Sequence, residues 1–526
     1  MPILHWIGKE KVINHHLDVP FRVLEHEYGF ENGKQSKKET NSGNKIIHGD
    51  NLEALKALLP EYEGRVKCIY IDPPYNTGKE EWLYTDKVNN PKLEKWFQKV
   101  VGKEGEDLIR DDKWLCMMYP RIKLLHKLLS DDGVFFCSID DYEHANLKLM
   151  LDEIFGPANF VNNIIWQRAF SPINTKKRFS PNHDFILCYA KNLPLVQFSL
   201  PRTEEADNRY SNPDNDERGD WTSGDLTVGP VIKEKLYEIV TPGGKTYLPP
   251  SGRCWVVTRE RFLQLLSENR IWFGEDGNNM PRFKRFKSDV KDGITPLTLW
   301  TYKEVGHTQE AKKEIKEIFS ESALPFDTPK PIKLMERIIG LATQKNSIVL
   351  DSFSGSGSTA HAVLNMNKQD GGNRKFILVE LEDYAETITA ERVKRVIKGY
   401  NNKPAIPAAF DFYELGAMLF QDDGTLNATV DADKIRNYIF YTETGTPLKA
   451  ASHKDTEYLL DNVNGTAYYL FFDPLITTTL NHDMLGTIKT KADQYIIYAD
   501  NCVLTKDFLT RRNIVYKKIP RDITLV

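Results

Sequence analysis

The chain has 526 residues, 27% of them charged and 40% hydrophobic, with a formal net charge of −4. That length allows two to four domains and a large core, while the charge does not by itself advertise a nucleic-acid partner. No secretory pattern and no apolar run of membrane-spanning length are seen, and six scattered cysteines lack metal-ligand spacing. A cytoplasmic protein with reduced, buried thiols and no bound metal is predicted.

Residues 1–44 read as a small arm and a flexible linker, ending around Lys34-Gln35-Ser36-Lys37-Lys38-Glu39. A strand over 45–49 then runs into His48-Gly49-Asp50-Asn51, where Asp50 suits a helix cap. The next strand, 66–72, ends in Asp72-Pro73-Pro74-Tyr75-Asn76. Two consecutive prolines cannot continue a ladder, so the strand must stop there. A carboxylate, carbonyl groups and an aromatic ring are left at its carboxyl end, where open α/β sheets bind ligands. These groups suit a planar ring bearing an exocyclic amine. Asp72 and the Pro73 carbonyl accept the amine hydrogens, Pro74 stiffens the loop, and Tyr75 stacks on the ring.

A strand at 133–139 and a hairpin of 162–168 with 183–190 follow. The loop within that hairpin carries Lys176, Lys177 and Arg178. Residues 192–325 change character, being rich in Pro, Gly, Asn and Asp, with a strand-like piece at Arg270–Phe273 and a helical one at Thr308–Phe319. This reads as an inserted module on irregular loops. Its densest basic run holds Arg282, Lys284, Arg285 and Lys287, interleaved with Phe283 and Phe286. Charge runs are usually solvated faces, but here and at Lys176–Arg178 phosphate contact is the functional alternative.

Phe326-Asp327-Thr328-Pro329-Lys330-Pro331 precedes a strand at 347–351, which enters Asp351-Ser352-Phe353-Ser354-Gly355-Ser356-Gly357 and an alanine-rich helix. Glycines permit close backbone approach to a ligand, and the helix start offers unpaired N–H groups. The loop fits neither the dinucleotide nor the triphosphate fingerprint. The strand at 375–380 ends in Glu380, about 20 residues on, where an acid can accept the hydroxyls of a ribose. The alternative for Glu380 is an ordinary helix-start residue. Residues 401–526 carry strand-like runs at 466–472 and 494–499 and predict a small α/β domain without a catalytic constellation.

Asp72-Pro73-Pro74-Tyr75 resembles the signature of the amino-methyltransferases of DNA, and Asp351–Gly357 resembles their S-adenosyl-L-methionine loop. Asp72 and Asp351 stand 279 positions apart, with the acceptor strand first. That order resembles the β class, and more closely the modification (Mod) subunits of type III restriction–modification systems. The resemblance implies a circularly permuted, Rossmann-like class I methyltransferase sheet. Its catalytic half would be 45–191, its recognition region 192–325, its cofactor half 326–400, and its C-terminal assembly domain 401–526. It implies methyl transfer from S-adenosyl-L-methionine to N6 of an adenine flipped out of double-stranded DNA, in the prokaryotic cytoplasm. It further implies a homodimer and a Res helicase–nuclease partner. Cofactor contacts fall on Asp50, Thr328, Lys330, Asp351, Phe353, Gly355, Gly357 and Glu380, with a proline-stiffened linker as the plain alternative for Thr328 and Lys330. N4-cytosine methylation uses the same chemistry, though those enzymes more often carry Ser in place of Asp72. Protein-glutamine and RNA methylation usually show Asn there. A non-catalytic DNA-binding subunit is the alternative of a different class. A cysteine nucleophile would need a Pro-Cys loop, which the chain lacks.

Overall fold

A computed structural model describes residues 3–77, 110–172, 177–202, 204–290, 293–321, 326–421, 423, 425–448, 458–473, 476–520 and 523. Its centre is one eleven-stranded sheet. In chain order the strands are β1 (Arg22–Glu31), β2 (Lys34–Ser36), β3 (Lys45–His48), β4 (Val66–Ile71), β5 (Leu129–Ile139) and β6 (Phe160–Trp166). They continue with β7 (Asp184–Ala190), β8 (Leu299–Trp300), β9 (Ile348–Asp351), β10 (Lys375–Glu380) and β11 (Ala409–Met418). The spatial order is β8-β6-β7-β5-β4-β9-β10-β3-β11-β1-β2. Strands β5, β4, β9, β10, β3 and β11 run parallel to one another. The β6–β7 hairpin is antiparallel, as predicted, and joins β5 antiparallel.

Parallel strands lie between helices and are buried on both faces, hence their near-continuous apolar runs. Val66-Lys67-Cys68-Ile69-Tyr70-Ile71 is buried except at Lys67, and Phe376 to Glu380 are all buried. The largest core cluster joins these strands to helices Asn51–Tyr62, Arg110–Leu128 and His144–Phe155.

The decisive pairing is β4 with β9, in the register Cys68 to Val349 and Ile69 to Leu350. From β4 the chain proceeds outward to β5, and from β9 it proceeds the other way to β10. The carboxyl ends of β4 and β9 are therefore a topological switch point, where doubly wound sheets leave a crevice. This is the permuted order that the sequence implied.

Two expectations are corrected. The first forty residues are not an arm on a flexible linker: β1 pairs along β11 from Arg22–Met418 to Glu31–Ala409, and β2 pairs back onto β1. The segment before β3 is tied down as well, since Thr40 N and Oγ1 donate to Asp411 at 2.8 and 2.7 Å. Nor is the whole of 401–526 a separate tail, because β11 lies inside the central sheet. Beyond it, helix Ala432–Thr444 and strands Leu459–Val463, Thr466–Leu470, Gln494–Ala499 and Ile514–Lys518 form the predicted α/β pattern with a four-stranded sheet.

Phe198–Pro296 is a compact unit of its own, narrower than the predicted 192–325. It packs around Leu226, Trp255, Phe262 and Ile271 and contains a three-stranded sheet of Ile271–Trp272, Arg282–Phe286 and Trp221–Asp225. No helix among the described residues is long and apolar enough to cross a membrane.

Candidate active site

The ends of β4 and β9 open into a pocket of about 640 Å³, its mouth included. Asp72, Pro73 and Tyr75 line one side; Asp351, Phe353, Ser354 and Gly355 line the other; Thr328 and Lys330 complete it. Most of the predicted catalytic and cofactor residues thus converge from segments that are remote in sequence. Pro74 acts differently: its carbonyl accepts a 2.6 Å hydrogen bond from Trp114 Nε1, which pins the loop to helix Arg110–Leu128. Sequence reasoning missed Trp114.

Asp72 faces two ways. Its Oδ2 is ion-paired with Lys330 Nζ. Its Oδ1 is buried and, like the Tyr75 hydroxyl, has no hydrogen bond of normal geometry among the described residues. The two groups are still close enough that, after burial, the Asp72 charge helps to push the Tyr75 phenol well above its ordinary pKa. A buried acceptor without a donor is costly unless a ligand supplies one. Lys330 Nζ also lies 5.3 Å from the Tyr75 ring centroid. The structure thus gives Lys330, expected at the cofactor, a direct contact with Asp72. The buried Asp184, at the start of β7, adds a further acid paired with Arg168 at 2.7 Å. Burial raises its pKa to about 6.

The glycine loop is held from below. Gly355 N donates to Glu380 Oε2 at 2.7 Å, and Thr389 Oγ1 donates to Gly355 O at 2.6 Å. Arg392, 1% exposed, donates through Nη1 to Ser356 Oγ at 2.9 Å and Ser358 Oγ at 2.8 Å. Gly355 and Gly357 have φ of 49° and 75°, a region that glycine enters at little cost. A Cβ at Gly357 would meet Thr389 O at 3.2 Å. Ser354 Oγ is buried without a partner among the described residues. A loop free of side-chain bulk, beside an aromatic ring and an unpaired hydroxyl, fits a ligand of S-adenosyl-L-methionine's mixed character.

Glu380 and Asp50 carry contacts of their own. Glu380 accepts from the Gly355 and Glu382 amides, so it shapes the loop. Asp50 caps helix Asn51–Tyr62 by accepting from Leu52 N at 2.8 Å, and it pairs with the buried Arg121 at 3.2 Å. Asn51 Nδ2 in turn donates to Ser352 O at 3.0 Å, which ties this cap to the glycine loop.

Burial raises both Asp351 and Glu380 to a pKa of about 7, against ordinary carboxylate values near 4. The folded state therefore holds protons that the unfolded chain releases. The stability contribution of each group is full below about pH 4, falls as pH rises toward about 7, and is level above that. Asp351→Asn should remove one proton's worth of this slope. Denaturant titrations of both proteins between about pH 5 and 7 check it; parallel slopes would contradict it.

The basic residues divide. Lys176 lies outside the described residues, and Lys177 and Arg178 are exposed. In strand Arg282–Phe286, Arg282 and Arg285 are exposed. Lys284 corrects the expectation of a phosphate contact: it is 3% exposed and paired with Asp214 and Asp216. Lys287 pairs with Asp207 at 3.1 Å. Were exposed Arg282 and Arg285 to meet the phosphates of a nucleic acid, Arg282→Gln with Arg285→Gln would lower the salt slope of that binding by about one unit per lost contact. Lys284→Gln should leave that slope alone and destabilise the fold by about 3 kcal/mol, because two carboxylates lose their buried cation. Salt titrations and denaturation curves separate the two classes.

Among known proteins, residues 66–391 match the family model described as DNA methylase. The chain is 36% identical over 400 residues to the StyLTI Mod subunit, a type III restriction-modification enzyme of Salmonella typhimurium, covering 71% of this chain and 60% of that one. It is 29% identical over 449 residues to the EcoP15I Mod subunit of Escherichia coli, covering 76% and 66%. It is 30% identical over 374 residues to the type II methyltransferase M.KpnI of Klebsiella pneumoniae, covering 68% and 84%. The chain spans about three-fifths to two-thirds of the length of these two type III relatives.

Proposed function

The chain belongs to the DNA methylase family, and from that premise we propose that it methylates N6 of adenine in double-stranded DNA, using S-adenosyl-L-methionine, as the modification and recognition subunit of a type III restriction–modification system. The observation that carries this reading is the shared pocket in which Asp72 and Asp351 meet from 279 positions apart.

An amine conjugated to a purine is a poor nucleophile because its lone pair is delocalised into the ring. Asp72 Oδ1 is the buried acceptor for one amine hydrogen, and the Pro73 carbonyl serves the other. Both favour a pyramidal nitrogen whose lone pair is free to attack. Lys330 keeps the other carboxylate oxygen engaged and so fixes which oxygen faces the base. The cofactor, when bound, supplies an electrophilic methyl group; Phe353, Ser354, Gly355 and Asp351 would hold it. Positioning and electrostatics carry the rate, with no covalent enzyme intermediate.

The target nitrogen is inaccessible within a duplex, so the adenine must be flipped, with Tyr75 as its stacking partner. Tyr75→Phe should keep most activity, whereas Tyr75→Ala should lose about 1–3 kcal/mol of base interaction. A mismatch opposite the target adenine should partly restore binding by Tyr75→Ala, since an unpaired base is easier to extrude. Equal activity of the two variants, at equal stability, removes the stacking role. The compact unit 198–296 is assigned to recognition, with Arg282 and Arg285 as phosphate contacts. We place the chain as a homodimer beside a Res helicase–nuclease partner; the relatives' names, which call them Mod subunits of type III restriction-modification enzymes, support work alongside further subunits.

The reading is tested by offering duplex DNA, RNA and protein together with a methyl-labelled cofactor. Label should enter the duplex DNA. Label confined to RNA or protein, or bound cofactor with no transfer to any of the three, would overturn the reading.

A further inference from the structure

The residue that follows the acceptor loop is built into a buried clamp. Asn76 is 0% exposed and has φ of 60°, a left-handed conformation that Asn tolerates better than most residues. Its Nδ2 donates to Glu143 Oε1 and, at 3.1 Å, to Asp111 Oδ1. Its Oδ1 is buried with no hydrogen-bond partner among the described residues. Among the described residues the amide is thus held through its two hydrogens, one on each carboxylate.

Glu143 is itself 0% exposed and stands immediately before helix His144–Phe155. Its second oxygen accepts from Asn146 Nδ2 at 3.0 Å. A carboxylate buried this completely is costly unless neighbouring donors satisfy it, and the donors here are two side-chain amides. Burial pushes the Glu143 carboxyl up to about 7. A helix start exposed to water would serve as well without it, since this side chain makes no capping hydrogen bond to its own helix. The carboxylate instead reaches the residue next to Tyr75.

We propose that Glu143 is a positioning residue for methyl transfer, acting through Asn76 to fix Asp72-Pro73-Pro74-Tyr75 against the reacting base. The inference rests on the methyl-transfer reading above. Two helices then grip the loop: Glu143, at the start of His144–Phe155, and Asp111 with Trp114 on Arg110–Leu128, the latter on the Pro74 carbonyl. Reactive geometry tolerates errors of only a fraction of an ångström, so a fixed loop end sets the orientation of Asp72 and Tyr75.

The polarity of the contact makes it testable. Asn76→Asp replaces the donor with a third carboxylate facing Glu143 and Asp111. Pairing it with Glu143→Gln restores one donor and one acceptor with their direction reversed. In the full chain, Asn76→Asp should lower kcat for DNA methylation by about 100-fold. The dissociation constant for S-adenosyl-L-methionine should stay within about twofold, because that half of the pocket is untouched. Asn76→Asp with Glu143→Gln should recover about tenfold of the loss. A merely structural pair would lower the melting temperature and leave kcat of the folded fraction alone.

Should Asn76→Asp not fold, Asn76→Ala, Glu143→Ala and their combination give the same answer. The double variant should be no worse in kcat than the poorer single one, whereas multiplying losses would show that Glu143 does not act through Asn76. A cofactor-binding Asn76→Asp protein with wild-type kcat, or a reversed pair that recovers nothing, would equally overturn the proposal. Wild-type protein that methylates no DNA would instead sink the functional reading, so the two failures are distinct.

Discussion

Asp72→Asn should lower methyl transfer by about 100- to 1,000-fold while S-adenosyl-L-methionine affinity stays within about twofold. The substitution keeps the shape and changes the chemistry. In the native pocket one oxygen is on Lys330 and the other is a buried acceptor with no donor of normal geometry among the described residues. An amide cannot satisfy both demands. If its oxygen faces Lys330, its NH2 confronts the substrate amine, donor against donor; if it turns round, the NH2 confronts the ammonium. Single-turnover methylation with calorimetric cofactor binding measures the split. A near wild-type rate from folded Asp72→Asn protein would remove Asp72 from the chemistry.

Gly357→Val should act on the opposite half. At φ of 75° a β-branched residue is strained by about 1–2 kcal/mol, and its Cβ would press on Thr389 O at 3.2 Å. Thr389 cannot yield easily, because its hydroxyl holds the Gly355 carbonyl. The loop must shift into the space that the cofactor needs. Cofactor affinity should fall by about 10- to 100-fold, with DNA binding largely retained. Unchanged affinity would mean that the loop does not approach the cofactor.

The two variants together ask whether acceptor and donor functions are divided between β4 and β9. Much of that division was legible in the chain. Apolar runs that stop at Asp72-Pro73-Pro74 and at Asp351, just ahead of the glycine loop, mark strand ends at which side chains and amides gather. The adjacency of β4 and β9 followed from the need for methyl donor and acceptor to meet, not from any local signal.

What escaped the sequence was long-range pairing. Arg22–Glu31 carries three acids, an arginine and a histidine, and its partner Ala409–Met418 lies almost four hundred residues away. Asn32-Gly33, whose φ values of 53° and 76° form the turn between β1 and β2, was a hairpin signal inside the presumed arm. Lys284 looked like its neighbours because Asp214 and Asp216, which neutralise it, lie about seventy residues upstream. Arg392 sits in Glu391-Arg392-Val393-Lys394-Arg395, where nothing local marks one cation as buried beneath the glycine loop. Asp50 could not be resolved between cap and site because one carboxylate caps its helix, pairs with Arg121 and neighbours the cofactor loop at once. Each of these depends on a partner brought in by the fold, and a motif does not encode that.

The most direct measurement is nucleoside analysis of duplex DNA after exposure to the wild-type chain and to Asp72→Asn. The account predicts N6-methyladenine at a defined sequence with the wild type and its near absence with the variant. N4-methylcytosine as the product would contradict the adenine assignment, and equal N6-methyladenine from both proteins would contradict the role given to the pocket.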